Sequence, residues 1–318
     1  MIQLFKNRGP VVLLLIPILC LVFYVPGIFA GSVDQKNGTT LFLLLKELSF
    51  GFPLLSLLIA CTLICLSAYL LNRVVSDNEF DARNTYLPGL LVVVFSSALA
   101  PILHLNEALP ANVLMVLMFG KILAMHRKGP IHEMVLDTGL LLGTASLFSP
   151  YYLMFFPVIW FGLNFFRPFN WREWLIPLIG AGLPWLFIAC FFYVTNRPFG
   201  ELLQPKYTHL SVLNLGRSWI LWLVGTGLTL WAVATTVLQF NQRTLRSKQS
   251  IRLLLTLTGF CALALIIFRQ PQLVNALAIP LALLVANFLC LVKRIYADLA
   301  MAALLAALVQ NELISLLG

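Results

Sequence analysis

The feature that most constrains this chain is a succession of long apolar segments from near its first residue to its last. Hydropathy predicts about eleven of them, at residues 11–30, 41–71, 88–103, 110–125, 135–148, 151–166, 174–194, 217–239, 252–268, 271–292 and 297–317. About twenty consecutive apolar residues are enough to cross the hydrocarbon core of a bilayer as an α-helix. The sequence therefore predicts an all-α, polytopic transmembrane bundle, forming a single membrane domain over residues 1–318.

The composition supports this class. Of the 318 residues, 60% are hydrophobic and only 10% are charged, and the mean hydropathy is +0.93. A soluble domain has nearer one quarter of its residues charged. We expect the first apolar run to be retained as a helix, because Pro17 and Pro26 interrupt it and no small-x-small cleavage pattern precedes a soluble region.

The distribution of positive charge predicts the orientation of the bundle. The net charge is +9; topology explains it better than nucleic-acid binding does, because Lys and Arg collect in cytoplasmic loops. With the N-terminus inside, fifteen of the 21 Lys and Arg residues fall on the inner side. The six on the outer side are Lys36, Lys46, Arg197, Lys206, Arg217 and Arg269. This asymmetry predicts an N-in/C-out arrangement, with membrane lipids as partners and no nucleic acid.

The sequence predicts neither a metal site nor a cofactor. All six cysteines fall within apolar spans and none has CxxC spacing, so we expect them to act as small apolar residues. The sequence contains no P-loop, no GxGxxG after a strand, no HExxH and no GxSxG. ATP-driven and zinc-dependent chemistry are therefore not expected.

Two neighbouring segments, 135–148 and 151–166, are shorter than a bilayer span. They meet at Ser149-Pro150-Tyr151-Tyr152, which predicts a tight helical hairpin over 135–166 whose tip stays in the outer half of the membrane. Non-helical backbone at that depth is tolerated only inside protein or beside a wet cavity. The hairpin is therefore a candidate cavity wall; two ordinary helices with longer ends are the alternative.

Polar residues on the predicted outer side are the candidates for chemistry. They are Asp34, His104, Glu107, Arg197, Glu201, Lys206, Tyr207, His209, Arg217 and Arg269. A carboxylate among them could act as a general base on a hydroxyl, and Arg or Lys could hold a phosphate or diphosphate. Arg269 lies between two apolar helices and either reaches lipid headgroups or faces the bundle interior. For each of these residues, a solvated loop charge is the alternative.

On the predicted inner side, the aromatic and basic run at residues 167–174 is typical of a membrane interface. Trp171 and Trp174 suit an interfacial aromatic belt, and Arg172 can pair with a headgroup phosphate, so all three are predicted anchors. Asp137, placed at the start of a short helix, is expected to cap that helix or compensate its dipole.

Residues 134–186 carry a first resemblance, through the runs 136–139, 146–148 and 166–174, with Gly180 and Pro184 following. Together with the opening residues 1–6, they resemble an uncharacterised family of bacterial multi-pass inner-membrane proteins. This resemblance covers most of the chain and implies location in the bacterial inner (cytoplasmic) membrane. It implies no activity.

A second resemblance involves shorter stretches. Residues 139–148 with Pro157 are similar to the short-helix hairpin of GT-C glycosyltransferases, which use polyprenyl-phosphate-linked sugars. Arg269 followed by residues 275–284 resembles their late-helix pattern. The resemblance implies a GT-C-like fold and a catalytic base at Asp34, in the first outer loop. The chain departs from the pattern in two ways: the hairpin tip lacks a basic residue, and the first outer loop is short.

Three functions remain open. In the first, the protein is an enzyme acting on a polyprenyl-phosphate-linked sugar, with Asp34 as base. The residues predicted to bind the substrate or its lipid phosphate are then Arg269, Arg197, Lys206, Arg217, Tyr151 and Tyr152. The alternative is a non-catalytic membrane subunit of a secretion or envelope-assembly complex. Transport comes third, since the charges lie mostly at segment ends.

Overall fold

The computed structural model describes residues 10–24, 39–47, 52–78, 80, 85–99, 105–126, 131–196, 215–268 and 270–317. Within these ranges the chain forms twelve α-helices and no strand. They are α1 (Pro10–Tyr24), α2 (Thr40–Glu47), α3 (Pro53–Asp77), α4 (Leu87–Leu99), α5 (Ala108–Ala124), α6 (His132–Phe148), α7 (Phe156–Phe166), α8 (Trp171–Val194), α9 (Leu215–Leu238), α10 (Leu245–Phe268), α11 (Pro271–Leu291) and α12 (Arg294–Leu317). The prediction of an all-α protein is confirmed.

Four helices of the described part are long and apolar enough to cross a membrane. They comprise Leu54–Asp77, Trp171–Val194, Leu245–Phe268 and Leu273–Leu291. Shorter apolar helices cover Leu87–Ser97, Ala108–Ala124, Pro150–Phe166 and Leu223–Leu238. The count of about eleven spans and the N-in/C-out orientation stay predictions.

The helices differ in how far the bundle surrounds them. In α11, 83% of the most apolar window is buried, against 28% in α8. The outer face of α8 instead exposes large apolar side chains such as Ile179, Phe187 and Phe191. Contiguous apolar surface of this kind is unfavourable in water and suits lipid. Helix α11 is therefore central, and α8 lies at the periphery.

The predicted segment 41–71 is divided in the structure. Helix α2 ends at Glu47, and α3 begins at Pro53 after Phe52, which has extended backbone. Proline is favoured at the first position of a helix, where its missing N–H costs no hydrogen bond, and disfavoured in the interior. A hydropathy average does not detect such a break, because the residues on both sides of it are apolar. The prediction therefore joined the two helices into one segment.

Helices α6 and α8 approach each other closely through glycines. A Cβ on Gly180 would lie 2.5 Å from the carbonyl oxygen of Leu136, and one on Gly139 would meet the carbonyl oxygen of Pro177. Small residues let membrane helices pack backbone to backbone in this way. The indole N–H of Trp185 also donates to Ser146 Oγ at 2.8 Å. Helix α6 is thereby held firmly along its length.

The short hairpin turns more sharply than two plain helices would. Helix α6 ends at Phe148, Ser149 is extended, and a 3-10 turn over Pro150–Phe155 leads into the eleven-residue α7. The turn buries Tyr151 and Tyr152. The hairpin therefore ends inside the bundle, next to the start of α5.

Glu107 and Lys121, at the start and in the last turn of α5, mark opposite ends of the bundle. The Glu107 end contains the start of α5, the end of α6 and the start of α11. The Lys121 end contains the ends of α3 and α5 and the start of α6.

Candidate functional site

A buried polar cluster lies at the Glu107 end and draws on four parts of the chain. Its members, called here the Glu107 cluster, are Thr39, Glu107, Asn112, Tyr152 and Asn275, and each is less than 10% exposed. Polar groups inside an apolar bundle are costly unless they are paired, and they commonly mark function. The cluster is therefore the candidate site.

Glu107 is the acidic centre of the cluster and directly precedes α5. The side chain of Asn106 accepts hydrogen bonds from the N–H groups of Ala108 and Leu109, which fixes where α5 begins. Glu107 Oε1 then accepts a hydrogen bond from the Thr39 N–H at 3.0 Å. The Thr39 hydroxyl donates to the carbonyl of Phe148 at 2.8 Å, which joins this group to the end of α6.

The environment of Glu107 changes its acidity. Burial raises the pKa of its carboxyl to about 7, and the hydrogen bond from Thr39 opposes part of that rise. A carboxyl with a pKa near 7 exchanges its proton readily near neutral pH. Glu107 can therefore serve either as a proton acceptor or as a hydrogen-bonding group for a hydroxyl.

Hydrogen bonds among Tyr152, Asn112 and Asn275 connect the hairpin to α5 and α11. The Tyr152 hydroxyl donates to Asn112 Oδ1 at 2.5 Å, and Asn112 Nδ2 donates to the backbone carbonyl of Asn275 at 3.0 Å. Asn275 Oδ1 and Ser149 Oγ are buried without a hydrogen-bond partner in the described part of the chain. Such groups are costly to leave unpaired, so a water or a ligand hydroxyl would bind there favourably.

Most of the predicted site residues lie outside the described residues. These are Asp34, Arg197, Lys206 and Arg269, and also His104, Glu201, Tyr207 and His209. Arg217 falls in α9, at a position whose side chain is not described.

The described neighbours of two predicted residues do reach the Glu107 end. Thr39 follows Asp34 by five residues and bonds to Glu107. Phe268 directly precedes Arg269, and its ring centroid lies 5.0 Å from that of Tyr151 at the hairpin tip. Thr39 and Phe268, which are described neighbours of Asp34 and Arg269 in the sequence, therefore lie at the Glu107 end.

The two predicted tyrosines lie at this end. Tyr152 is fully buried and its hydroxyl is bonded to Asn112, so it holds the hairpin in place. Tyr151 packs against Phe268. Their assignment to substrate binding stays a prediction.

The predicted interfacial anchors divide into an exposed and a packed part. Trp171 is 60% exposed, and the Arg172 guanidinium carbon lies 5.7 Å from the centroid of its ring. Trp174 instead stacks on Trp160, with ring centroids 5.5 Å apart, and its carbonyl accepts the Trp160 indole N–H at 3.1 Å. Trp171 and Arg172 are thus available to lipid headgroups, whereas Trp174 mainly fixes α8 against α7.

Charged side chains at the Lys121 end are arranged differently. Lys121 Nζ of α5 lies 2.6 Å from Asp137 Oδ2 of α6, and both side chains are nearly half exposed. The expectation that Asp137 caps a helix start is wrong, because α6 begins five residues earlier, at His132. Asp137 instead makes an ion pair between helices.

Sequence reasoning named Glu107 only as one loop charge among several, and it missed Thr39, Asn112 and Asn275. An available signal was the presence of Asn112 and Asn275 inside apolar segments, where an amide must find a partner. The pairing itself was not visible, since it joins residues 163 positions apart.

Comparison of the chain with known protein families, with curated proteins and with solved structures finds no match. The described residues contain no group of three or more His, Cys, Asp or Glu side chains that could hold a metal ion. Four helices of the described part are long and apolar enough to cross a membrane, and this is compatible with the class of helical integral membrane proteins.

Proposed function

We propose that the protein is an enzyme of the bacterial inner membrane that transfers a sugar, or performs a related step, on polyprenyl-phosphate-linked glycans at the outer face. The observation that carries this proposal is Glu107, a carboxyl buried at one end of an apolar bundle and bonded to the segment that follows Asp34. The charge asymmetry of the sequence favours an outward orientation of this end.

The chemistry requires a proton acceptor and a phosphate site. The oxygen of an acceptor hydroxyl attacks the anomeric carbon while the bond from that carbon to the phosphate oxygen breaks. Polyprenyl phosphate leaves with the bonding electron pair, and the carboxylate of Asp34 takes the hydroxyl proton. Arg269, with Arg197, Lys206 and Arg217, binds the phosphate.

Within this scheme the Glu107 cluster binds the sugar. Glu107 accepts a hydrogen bond from a sugar hydroxyl, and the unpaired oxygens of Ser149 and Asn275 bond to neighbouring hydroxyls. A site built to bond hydroxyls rejects analogues that lack them, because its buried groups would then stay unpaired. The hairpin beside the cluster forms one wall of the path for the prenyl chain.

The proposal is tested with chromosomal Asp34→Ala, Glu107→Gln and Arg269→Ala variants. We expect the polyprenyl-linked donor to accumulate in all three at normal protein levels, as measured by mass spectrometry of extracted lipids. Glu133→Gln is the matched control, because Glu133 is an exposed carboxyl at the opposite end of the bundle. Wild-type lipid profiles in all three variants would remove the enzyme assignment.

A non-catalytic subunit of a secretion or envelope-assembly complex is the second candidate. The bond between Tyr152 and Asn112 favours it, because this bond satisfies both groups inside the protein and gives them a structural role. This function predicts co-purification with partner proteins at a fixed stoichiometry and full activity of the complex in the Asp34→Ala variant.

A further inference from the structure

A cleft of about 230 Å³ lies between α3 and α5 at the Lys121 end, away from the Glu107 cluster. Residues that line it include Leu70, Arg73 and Asp77 of α3, and Leu117, Gly120 and Lys121 of α5. On α3 successive residues are three or four positions apart, and on α5 Leu117 precedes Gly120 and Lys121 by three and four positions, so each set shares one helix face. The cleft is thus formed by two helix faces turned toward each other.

The cleft combines an apolar part with a charged mouth. Gly120 lets the two helices approach, since a Cβ there would meet the side chain of Val74. Leu70 and Leu117 lie about one helical turn deeper in the bundle than Arg73 and Lys121. A ligand that fills the cleft therefore needs an apolar end and a charged end.

The charged groups at the mouth are of both signs. Lys121 is paired with Asp137. Arg73 and Asp77 are exposed, and the charged groups of these two side chains make no hydrogen bond or ion pair within the described part of the chain. They are four positions apart on α3, so their Cβ atoms are about 5–6 Å apart. Arg73 and Asp77 thus offer a cation and an anion side by side at the mouth.

We propose that this cleft binds a zwitterionic aminophospholipid of the phosphatidylethanolamine type. The phosphate lies on the Arg73 guanidinium, near Lys121, and the ammonium group lies on the Asp77 carboxylate. Arginine binds phosphate through two parallel hydrogen bonds, and a carboxylate is the natural partner of an ammonium group. Part of one acyl chain packs on Leu70 and Leu117.

The Asp77 carboxylate selects this headgroup over an anionic one. Its charged group makes no ion pair within the described residues, and the nearby Arg246 guanidinium donates to the Asp77 backbone carbonyl at 3.2 Å instead. An ammonium group pairs with this carboxylate, whereas a glycerol headgroup offers it no cation. A lipid is favoured over a soluble phosphate compound as the ligand, because the cleft continues into the apolar bundle.

The test is native mass spectrometry of the purified full-length protein with phosphatidylethanolamine or phosphatidylglycerol of the same acyl chains. We expect the wild type to retain phosphatidylethanolamine in preference to phosphatidylglycerol. Arg73→Gln should weaken binding of both lipids about tenfold, through loss of the bidentate phosphate contact. Asp77→Asn should remove the preference between the two. Lys293→Gln, a change at another exposed cation, should leave the pattern of lipid binding unchanged.

Two further measurements keep the proposal falsifiable. Leu117→Trp fills the apolar part while leaving all charges in place, and it should reduce lipid retention without shifting the thermal unfolding midpoint. Glycerophosphoethanolamine, the headgroup without acyl chains, should fail to displace the lipid. Equal retention of both lipids by the wild type, unchanged retention in Arg73→Gln, or displacement by the free headgroup would each overturn the proposal.

Discussion

The two ends of the bundle show two ways of placing polar groups in an apolar protein. At the Glu107 end the groups are buried and joined by hydrogen bonds that reach across the chain. At the Lys121 end, Lys121 and Asp137 are nearly half exposed and form an ion pair. Solvent screens the exposed charges but not the buried groups. Single substitutions should therefore have large effects at the first end and small ones at the second.

The largest effect is expected from Glu107→Gln, which should change how the stability of the fold depends on pH. The folded-state pKa of Glu107 is raised from 4.5 to about 7, so its contribution to stability is fully present below pH 4.5 and lost as the pH rises through 7. At pH 8 the ionised Glu107 carboxyl lowers the free energy of unfolding by about 3 kcal/mol relative to the protonated form. Glutamine cannot ionise, so the variant should be more stable than the wild type at pH 8 and similar to it at pH 5.

Thermal unfolding of the detergent-purified protein between pH 5 and 8 measures this difference. Glu133→Gln, which removes an exposed carboxyl at the other end of the bundle, is the matched control. An unchanged pH dependence in Glu107→Gln would show that Glu107 is solvated and would remove the contrast between the two ends.

The next largest effect is expected from Gly180→Ala, at the contact between α8 and α6. Gly180→Ala would push its new methyl group against the backbone of Leu136, and overpacking of this kind costs about 2 kcal/mol. Gly182→Ala is the matched control on the same helix, because a Cβ there meets nothing within 4 Å. Denaturation of both variants should show a loss for Gly180→Ala alone; equal stabilities would mean that α6 and α8 are not in backbone contact.

A smaller loss is expected for Tyr152→Phe, which removes the donor to Asn112 Oδ1 inside the bundle. A buried acceptor left unpaired costs about 1–3 kcal/mol. Tyr193→Phe removes an exposed hydroxyl at the end of α8 and should leave stability unchanged. If the two tyrosine variants unfold at the same temperature, the Tyr152 hydroxyl has access to water.

The smallest effect is expected at the Lys121 end. Lys121→Gln breaks the ion pair with Asp137, but the two side chains are 43% and 46% exposed, so the loss should stay below about 1 kcal/mol. The difference from the wild type should shrink further in high salt, because screening weakens an exposed pair. A loss as large as that of Tyr152→Phe would show that the two ends do not differ in solvation.

The sequence predicted the helical elements better than the site. The turn after Phe148 follows from Ser149-Pro150, because the residue before a proline avoids helical backbone. Helix α8 begins at Trp171, three residues before the predicted segment 174–194; a local signal for this start is Asn170, whose side chain accepts from the Arg172 N–H at 3.3 Å. These features depend on neighbouring residues, so the sequence displays them directly.

The Glu107 cluster could not be predicted in this way. Thr39 and Glu107 are 68 positions apart, and Tyr152 and Asn112 are 40 apart. Neither hydropathy nor helical periodicity relates residues at such separations. The burial of Glu107 is equally a property of the packed bundle, and a charged residue just before an apolar helix looks the same in sequence whether it is buried or solvated.

The most direct test of the functional assignment is the pool of polyprenyl-linked sugars in a Glu107→Gln strain beside a Glu133→Gln strain, with both proteins at wild-type levels. Both variants replace a carboxyl with an amide of nearly the same size, one at the buried end and one at the exposed end. We predict accumulation of the lipid-linked donor in Glu107→Gln alone. Wild-type pools in Glu107→Gln, or equal accumulation in both strains, would contradict a sugar-binding role for the Glu107 cluster.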